Sequence, residues 1–155
     1  MIHVMPGRLA ELATSFGKGT RMNNSSTNLV MGWAALAGIV LVAAGVLGFL
    51  NTPLAGTAEN ALLRVDTLHN IVHIVTGLLA LYIAFGLRGD AQVNGVIGFG
   101  VLYVVIFVAV LVSPTLFGLF SVPAGPALHV IHAALAVVSL GIGLMARGNT
   151  TAAVR

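Results

Sequence analysis

The chain has 155 residues, of which 58% are hydrophobic and 7% are charged, and its formal net charge is +3. A soluble domain carries about 25% charged residues, so four acids and seven bases are too few for an ordinary water-exposed surface. The small basic excess forms no patch, which excludes a nucleic-acid-binding domain, and the absence of cysteine excludes disulfides, iron–sulfur clusters, thiolate zinc sites and cysteine nucleophiles.

Residues 1–28 form a polar N-terminal tail of mixed charge. This segment lacks the apolar core and the small-residue cleavage site of a signal peptide, and its composition favours disorder. We therefore expect three parts: the tail at 1–28, a membrane domain at 29–148 and a C-terminal tail at 149–155.

Four long apolar runs follow, and none contains Asp, Glu, Lys or Arg. Each has the roughly 20 residues that a helix needs to cross a hydrocarbon core of about 30 Å. Because backbone polar groups in lipid must be paired internally, the runs predict an all-α bundle of four transmembrane helices. The runs are Leu29–Leu50, Leu68–Leu87, Val93–Val112 and Ala127–Ala146.

The distribution of basic residues predicts the orientation in the membrane. With four spans, both termini and the turn between the second and third helices share one side, and the other side carries only Arg64. By the positive-inside rule we expect both termini in the cytoplasm, with Trp33 in the inner aromatic belt. The basic residues on the predicted inner side are Arg8, Lys18, Arg21, Arg88, Arg147 and Arg155.

The two predicted outer loops differ in character. The first, Asn51 to Asp66, has apolar residues at helical spacing, which favours a short amphipathic helix on the outer surface. Asp66 is well placed to cap the N-terminus of the second membrane helix. The second loop, Ser113 to Pro126, is uncharged and rich in Pro and Phe, so we expect it to enter the membrane interface or cover a partner.

The second and fourth helices repeat each other at a shift of 59 residues. His73 corresponds to His132, and Arg88 corresponds to Arg147. The chain therefore reads as two tandem helical hairpins in the same orientation, and we expect the small residues of the two helices to face each other or one shared cavity. The matching small residues are Gly77, Ala80 and Ala84 in the second helix and Ala136, Ser139 and Gly143 in the fourth.

Each repeat places a histidine pair at the outer start of its second helix, followed by the small-residue stripe; the segments are LHNIVHIVTG at 68–77 and LHVIH at 128–132. In this the chain resembles a family of small bacterial four-helix membrane proteins of unknown function, the DUF4383-type family, over roughly residues 30–148. Ala136 stands where that family has glycine. The resemblance implies four transmembrane helices in a bacterial cell membrane, and it implies no activity.

The histidines are the candidate site. His73 lies about 22 Å along the helix from Arg88, which puts it several ångströms inside the outer boundary. His132 has the same depth by the repeat, and His69 and His129 lie one turn nearer the outer surface. We expect all four imidazoles to point into the bundle, with His73 and His132 in one shared site containing no other charged group.

Several roles for these histidines stay open. They can act as hydrogen-bonding contacts between helices, with Asn70 and Asn94 as nearby partners. They can bind haem b between His73 and His132, or a divalent metal through all four imidazoles (His69, His73, His129, His132). Proton handling is a further role. The two membrane tyrosines, Tyr82 and Tyr103, are expected to bond across helices.

The sequence carries no phosphate loop, no dinucleotide fingerprint and no catalytic triad, so we expect a protein that is not an enzyme. The leading hypothesis is a non-catalytic structural or accessory subunit that assembles with itself or with a larger membrane complex. The alternative is a haem- or metal-binding membrane protein. A second alternative is a small transporter or channel, although no predicted helix is broken by proline and no charge lines the bundle.

Overall fold

A computed structural model of the protein describes residues 24–152, with side chains described from 25 to 148. The predicted tail up to residue 23 and the last three residues lie outside the described part. The elements in chain order are α1 (Asn24–Phe49), β1 (Ala55–Gly56), β2 (Leu63–Arg64), α2 (Thr67–Gly86), α3 (Gly89–Val112) and α4 (Pro126–Ala152).

All four helices are long and apolar enough to cross a membrane, which confirms the predicted all-α bundle of four spans. Three of them extend beyond the apolar runs. Helix α1 begins at Asn24, α3 at Gly89, and α4 continues to Ala152. Polar residues therefore complete the terminal turns, where the unpaired backbone groups of a helix can reach the membrane interface.

The chain folds into two helical hairpins, α1 with α2 and α3 with α4, and glycines set the spacing inside each hairpin. A Cβ atom added at Gly77 would lie 2.9 Å from the carbonyl oxygen of Gly38, and one at Gly38 would lie 2.8 Å from that of Gly77. In the second hairpin, Gly143 packs against Ile97. Small residues allow the backbones of membrane helices to approach closely.

This packing corrects the predicted direction of the small-residue stripes. Gly77 of α2 and Gly143 of α4 face the other helix of their own hairpin, not each other. The remaining members of the stripes, Ala80, Ala84, Ala136 and Ser139, are buried inside the bundle. The stripes therefore serve the hairpin contacts first, because that is where two helix backbones come closest.

Hydrogen bonds between side chains join the two hairpins. Trp33 Nε1 on α1 donates to Ser139 Oγ on α4 at 2.9 Å, so Trp33 bonds within the bundle. The hydroxyls of Thr76 on α2 and Tyr103 on α3 lie 3.0 Å apart, which confirms the bond predicted for Tyr103. Tyr82 differs from the prediction: its side chain is 60% exposed and its ring lies over Gly86 of the same helix.

The first loop contains a pair of short strands where a helix was predicted. Strands β1 and β2 pair in parallel, with Ala55 opposite Leu63. Asn51 Oδ1 accepts from the backbone N–H of Thr57 at 2.9 Å, and Thr52 Oγ1 accepts from that of Ala55 at 3.1 Å. Such bonds from side chain to backbone compete with helix formation, and the helical spacing of the apolar residues was misleading here.

The two long loops, residues 50–66 and 113–125, form one end of the bundle, which we call the loop end. The opposite end carries the α2–α3 connection, the start of α1 and the end of α4.

We expect Gly77→Ala to destabilise the first hairpin by about 1–3 kcal/mol, because the new methyl group would meet the backbone of α1 and the side chain of Val42. Thermal unfolding in detergent measures the loss. Gly98→Ala is the matched control, since nothing lies within 4 Å of its added Cβ. Equal midpoints for the two variants would contradict the close packing at Gly77.

Candidate functional site

Three histidines meet near the loop end of the bundle. His69 and His73 lie one turn apart on α2, and His132 faces them from α4. The ring centroids are 4.6 Å apart for His69 and His73, 6.0 Å for His69 and His132, and 6.4 Å for His73 and His132. Each side chain is at most 3% exposed. His73 and His132 therefore lie together in the interior, as predicted, but the expected absence of another charged group is wrong, because the Asp66 carboxylate contacts His69.

We call these three residues the histidine cluster. One ring nitrogen from each member lies within 4.8 Å of the others. His129, the fourth predicted member, is half-buried one turn nearer the loop end and is not part of this group. The structure thus brings together three of the four histidines that the sequence singled out.

Most ring nitrogens of the cluster are unpaired. Nδ1 of His69, both nitrogens of His73 and Nδ1 of His132 are buried and have no hydrogen-bond partner among the described residues. A buried polar group without a partner costs about 1–3 kcal/mol. The cluster therefore carries ligand atoms that the folded chain itself leaves unused.

The predicted asparagine partners do not serve the cluster. Asn94 accepts a hydrogen bond from Arg147 at 2.6 Å, at the end opposite the loop end. Asn70 points toward α1, where its side chain packs against Gly48, and its Oδ1 is itself buried without a partner. Their predicted role is wrong because a residue close in sequence to the histidines can still lie on another face of its helix or at another depth.

Asp66 positions the start of α2 and therefore His69. Its Oδ1 accepts from the backbone N–H of His69 at 2.9 Å, which confirms the predicted N-cap. Its Oδ2 accepts from the backbone N–H groups of Ser121 and Val122 in the second loop. One carboxylate thus holds both the first turn of α2 and the loop that precedes α4.

The electrostatics of Asp66 follow from these bonds. Burial opposes ionisation, but the three backbone hydrogen bonds from His69, Val122 and Ser121, with a smaller contribution from the His69 imidazole, lower the pKa of this carboxyl below its ordinary value. Asp66 therefore carries a full negative charge at neutral pH, beside the histidine cluster.

The second loop closes the site with an aromatic ring. Phe120 is buried, and its ring stacks on that of His69 with centroids 4.6 Å apart and planes 11° apart. The uncharged loop was expected to enter the membrane interface or cover a partner, and Phe120 instead covers the chain's own histidines. Phe117 and Leu119 of the same loop remain exposed.

The family model described as "Domain of unknown function (DUF4383)" matches residues 32–145. The chain belongs to this family. The match contains the histidine cluster, Asp66 and Phe120, and it confirms the resemblance seen in the two histidine segments. No curated protein and no solved structure matches the chain.

In this DUF4383 protein the histidine cluster borders a cavity of about 240 Å³. The rest of its wall is apolar apart from Tyr103, whose hydroxyl is engaged by Thr76. A second cavity, of about 210 Å³ and lined by apolar residues of α1 and α4, also touches His73. The imidazoles thus supply the unpaired polar atoms on an otherwise apolar cavity wall.

Sequence reasoning missed the contacts that three residues of this DUF4383 protein make inside the bundle. Trp33 and Phe120 were read as membrane-interface residues, although one bonds to α4 and the other covers His69. Gln92, at the end opposite the loop end, is buried and donates from Nε2 to the carbonyl oxygens of Ile83 and Ala84. A polar residue at the edge of an apolar run was the signal for Gln92.

Removal of the Asp66 carboxylate should release the second loop. For Asp66→Ala we expect the loss of a helix cap, which costs about 0.5–2 kcal/mol, and faster amide hydrogen exchange in residues 115–124. Hydrogen exchange with mass spectrometry measures the effect. Asp90→Ala, in the first turn of α3 at the opposite end, is the control. If both variants leave exchange in the second loop unchanged, Asp66 does not hold it.

Proposed function

We propose that this multi-pass membrane protein holds a transition-metal ion at the histidine cluster. The observation that carries the proposal is the convergence of three buried imidazoles whose ligand nitrogens lie within 4.8 Å of one another. Imidazole is a common ligand of copper, zinc, iron and nickel. Ionisable groups inside a membrane bundle also mark functional sites more often than structural ones.

The unpaired nitrogens favour a ligand over a purely structural role. Histidines that only join helices gain stability by hydrogen bonding, whereas both nitrogens of His73 lack a partner among the described residues. In a tetrahedral site with metal–nitrogen bonds of about 2.0–2.1 Å, ligand nitrogens lie about 3.3 Å apart. The cluster has to contract by at most about 1.5 Å to reach this geometry, a movement that side-chain rotation supplies.

The same geometry disfavours haem. A haem held by His73 and His132 requires the porphyrin plane to lie between the two rings, whose centroids are 6.4 Å apart. The His69 ring occupies this region, at 4.6 Å from His73 and 6.0 Å from His132. A single ion among three imidazoles requires no such displacement.

We further propose that the protein is not an enzyme. Asp66 is the one carboxylate among the described residues that lies beside the cluster, and both of its oxygens accept backbone hydrogen bonds. General acid–base chemistry needs a group that is free to exchange protons with a substrate, and the imidazoles that could do so are the ligands of the proposed ion. A role in holding or passing on an ion fits this arrangement better.

We place the loop end outside a bacterial inner membrane and both termini in the cytoplasm. The support is the distribution of basic residues: of those that the structure describes, Arg88 and Arg147 lie at the end opposite the loops and Arg64 at the loop end, in the sense that the positive-inside rule requires. The histidine cluster then lies near the outer surface.

The metal proposal is tested by elemental analysis of the full chain purified in mild detergent and loaded with copper or zinc. We expect one bound ion per chain, and we expect His73→Gln and His132→Gln to lose it, because each removes an imidazole and retains a polar side chain. His129→Gln is the matched control and should retain the ion. Thermal unfolding and size-exclusion profiles check that every variant is folded.

Two results would contradict the proposal: no stoichiometric ion in the folded wild-type chain, or equal retention in His73→Gln and His129→Gln. The first would leave the cluster as a structural feature. The second would place the ion elsewhere in the protein.

A second candidate function is assembly as a structural or accessory subunit, and the tip of the second loop favours it. Phe117 is 76% exposed and Leu119 is 63% exposed. Leu116 and Phe117 both have positive φ, a backbone conformation that costs energy in residues other than glycine. The Ser113 hydroxyl accepts from the Phe117 N–H at 2.8 Å and holds this conformation. A strained, exposed aromatic tip is suited to a partner.

If the tip mediates self-association, Phe117→Glu should lower the oligomeric mass measured by native mass spectrometry in gentle detergent. Leu50→Glu is the control, because Leu50 is 67% exposed at the same end of the bundle and lies outside the second loop. A wild-type chain that is monomeric under these conditions would contradict self-association through this tip.

A further inference from the structure

We propose that the ion held by the histidine cluster is monovalent, and that copper(I) is the ion that the site fits. This inference rests on the proposed function and specifies the class of ion. Three features of the site support it: the charges around the cluster, the apolar lining of the adjoining cavity and the number of ligands that the chain offers.

The acidic residues near the cluster favour a monovalent ion. The described residues include three acids, of which Glu59 is exposed in the first loop and Asp90 lies at the opposite end of the bundle. Asp66 is the acid at the cluster, because its carboxylate accepts the backbone N–H of His69 at 2.9 Å. Imidazoles bind metals in their neutral form, so the protein supplies a single negative charge. The Asp66 carboxylate balances one positive charge, so a divalent ion brings a second positive charge that no acid beside the cluster balances.

The apolar surroundings of the cluster make the second charge of a divalent ion costly. The energy of transferring an ion from water to a medium of low dielectric constant rises with the square of its charge, so a divalent ion pays about four times as much as a monovalent ion of equal size. The cavity beside the cluster is lined almost entirely by carbon atoms. The apolar surroundings therefore disfavour binding of divalent ions, whatever ligands the site offers.

The cluster offers three imidazole ligands to an ion. Zinc in proteins takes four ligands, and a three-histidine zinc site completes its shell with water. Here the Phe120 ring covers His69, and the Tyr103 hydroxyl is engaged by Thr76. A water molecule needs two to four polar partners, which the apolar wall of the cavity does not supply. Copper(I) is satisfied by three imidazoles in a plane and needs no fourth ligand.

The experiment compares ions of different charge on the full chain in lipid nanodiscs. Copper(I) is titrated without oxygen against a competing copper(I) chelator, and Ag⁺, Zn²⁺ and Cd²⁺ are titrated in parallel. We expect Cu⁺ and Ag⁺ to bind one per chain and to bind at least about 100-fold more tightly than Zn²⁺ and Cd²⁺. Cd²⁺ separates charge from softness, because it is a softer ion than Zn²⁺ with the same charge.

A variant tests the role of the counter-charge. Asp66→Asn retains an oxygen that can cap α2 and removes the negative charge, so we expect affinity for Cu⁺ to fall by about tenfold. The amide exchange pattern of the second loop shows whether the loop remains in place in this variant. Unchanged affinity with the loop in place would overturn the counter-charge argument.

The outcomes distinguish the inference from the proposed function. Binding of Zn²⁺ as tight as that of Cu⁺ would overturn the monovalent inference and leave the metal site standing. Tight binding of Cd²⁺ with weak binding of Zn²⁺ would also overturn it, since softness would then decide. If none of the four ions binds to the folded chain, the proposed function fails and the inference fails with it.

Discussion

The carboxylate of Asp66 is the interaction on which the loop end depends. One oxygen caps α2 and fixes the direction in which His69 enters the bundle, and the other holds the second loop through Ser121 and Val122. That loop carries Phe120 onto the His69 ring. Because a single side chain serves the cap, the loop and the cover, the first hairpin and the segment leading into α4 are held in one arrangement around the histidines.

Polar groups deep in the bundle follow the rule that lipid imposes, which is pairing within the protein. Trp33 bonds to Ser139, and Thr76 bonds to Tyr103, each pair joining helices of different hairpins. The nitrogens of the histidine cluster depart from this rule, because four of them have no hydrogen-bond partner among the described residues. Single unpaired atoms also occur at Arg64, Asn70, Gln92 and His129, but four gathered on three side chains beside one cavity are typical of a site built for a ligand.

The sequence was sufficient to predict the four spans and the approach of His73 to His132, because apolar length and the internal repeat report position along each helix. It was weaker on direction around each helix. His69 precedes His73 by four residues, a rotation of about 40° beyond one turn, whereas His129 precedes His132 by three, about 60° short of one. Only the first pair therefore points into one site. The first loop was mispredicted because bonds from Asn51 and Thr52 to the backbone, which apolar spacing does not reveal, replace a helix.

The two repeats therefore contribute unequally to the site, and this has a thermodynamic consequence. The first hairpin supplies two imidazoles from α2, and the second supplies one from α4 and, through the loop before it, the covering ring. An ion that binds all three imidazoles links hairpins that otherwise meet through a few hydrogen bonds and interior side chains. Part of its binding free energy then becomes docking free energy between the hairpins, because a ligand that binds only the assembled state stabilises that state. If the proposed ion binds, its affinity and the packing of the bundle are coupled through the same three side chains.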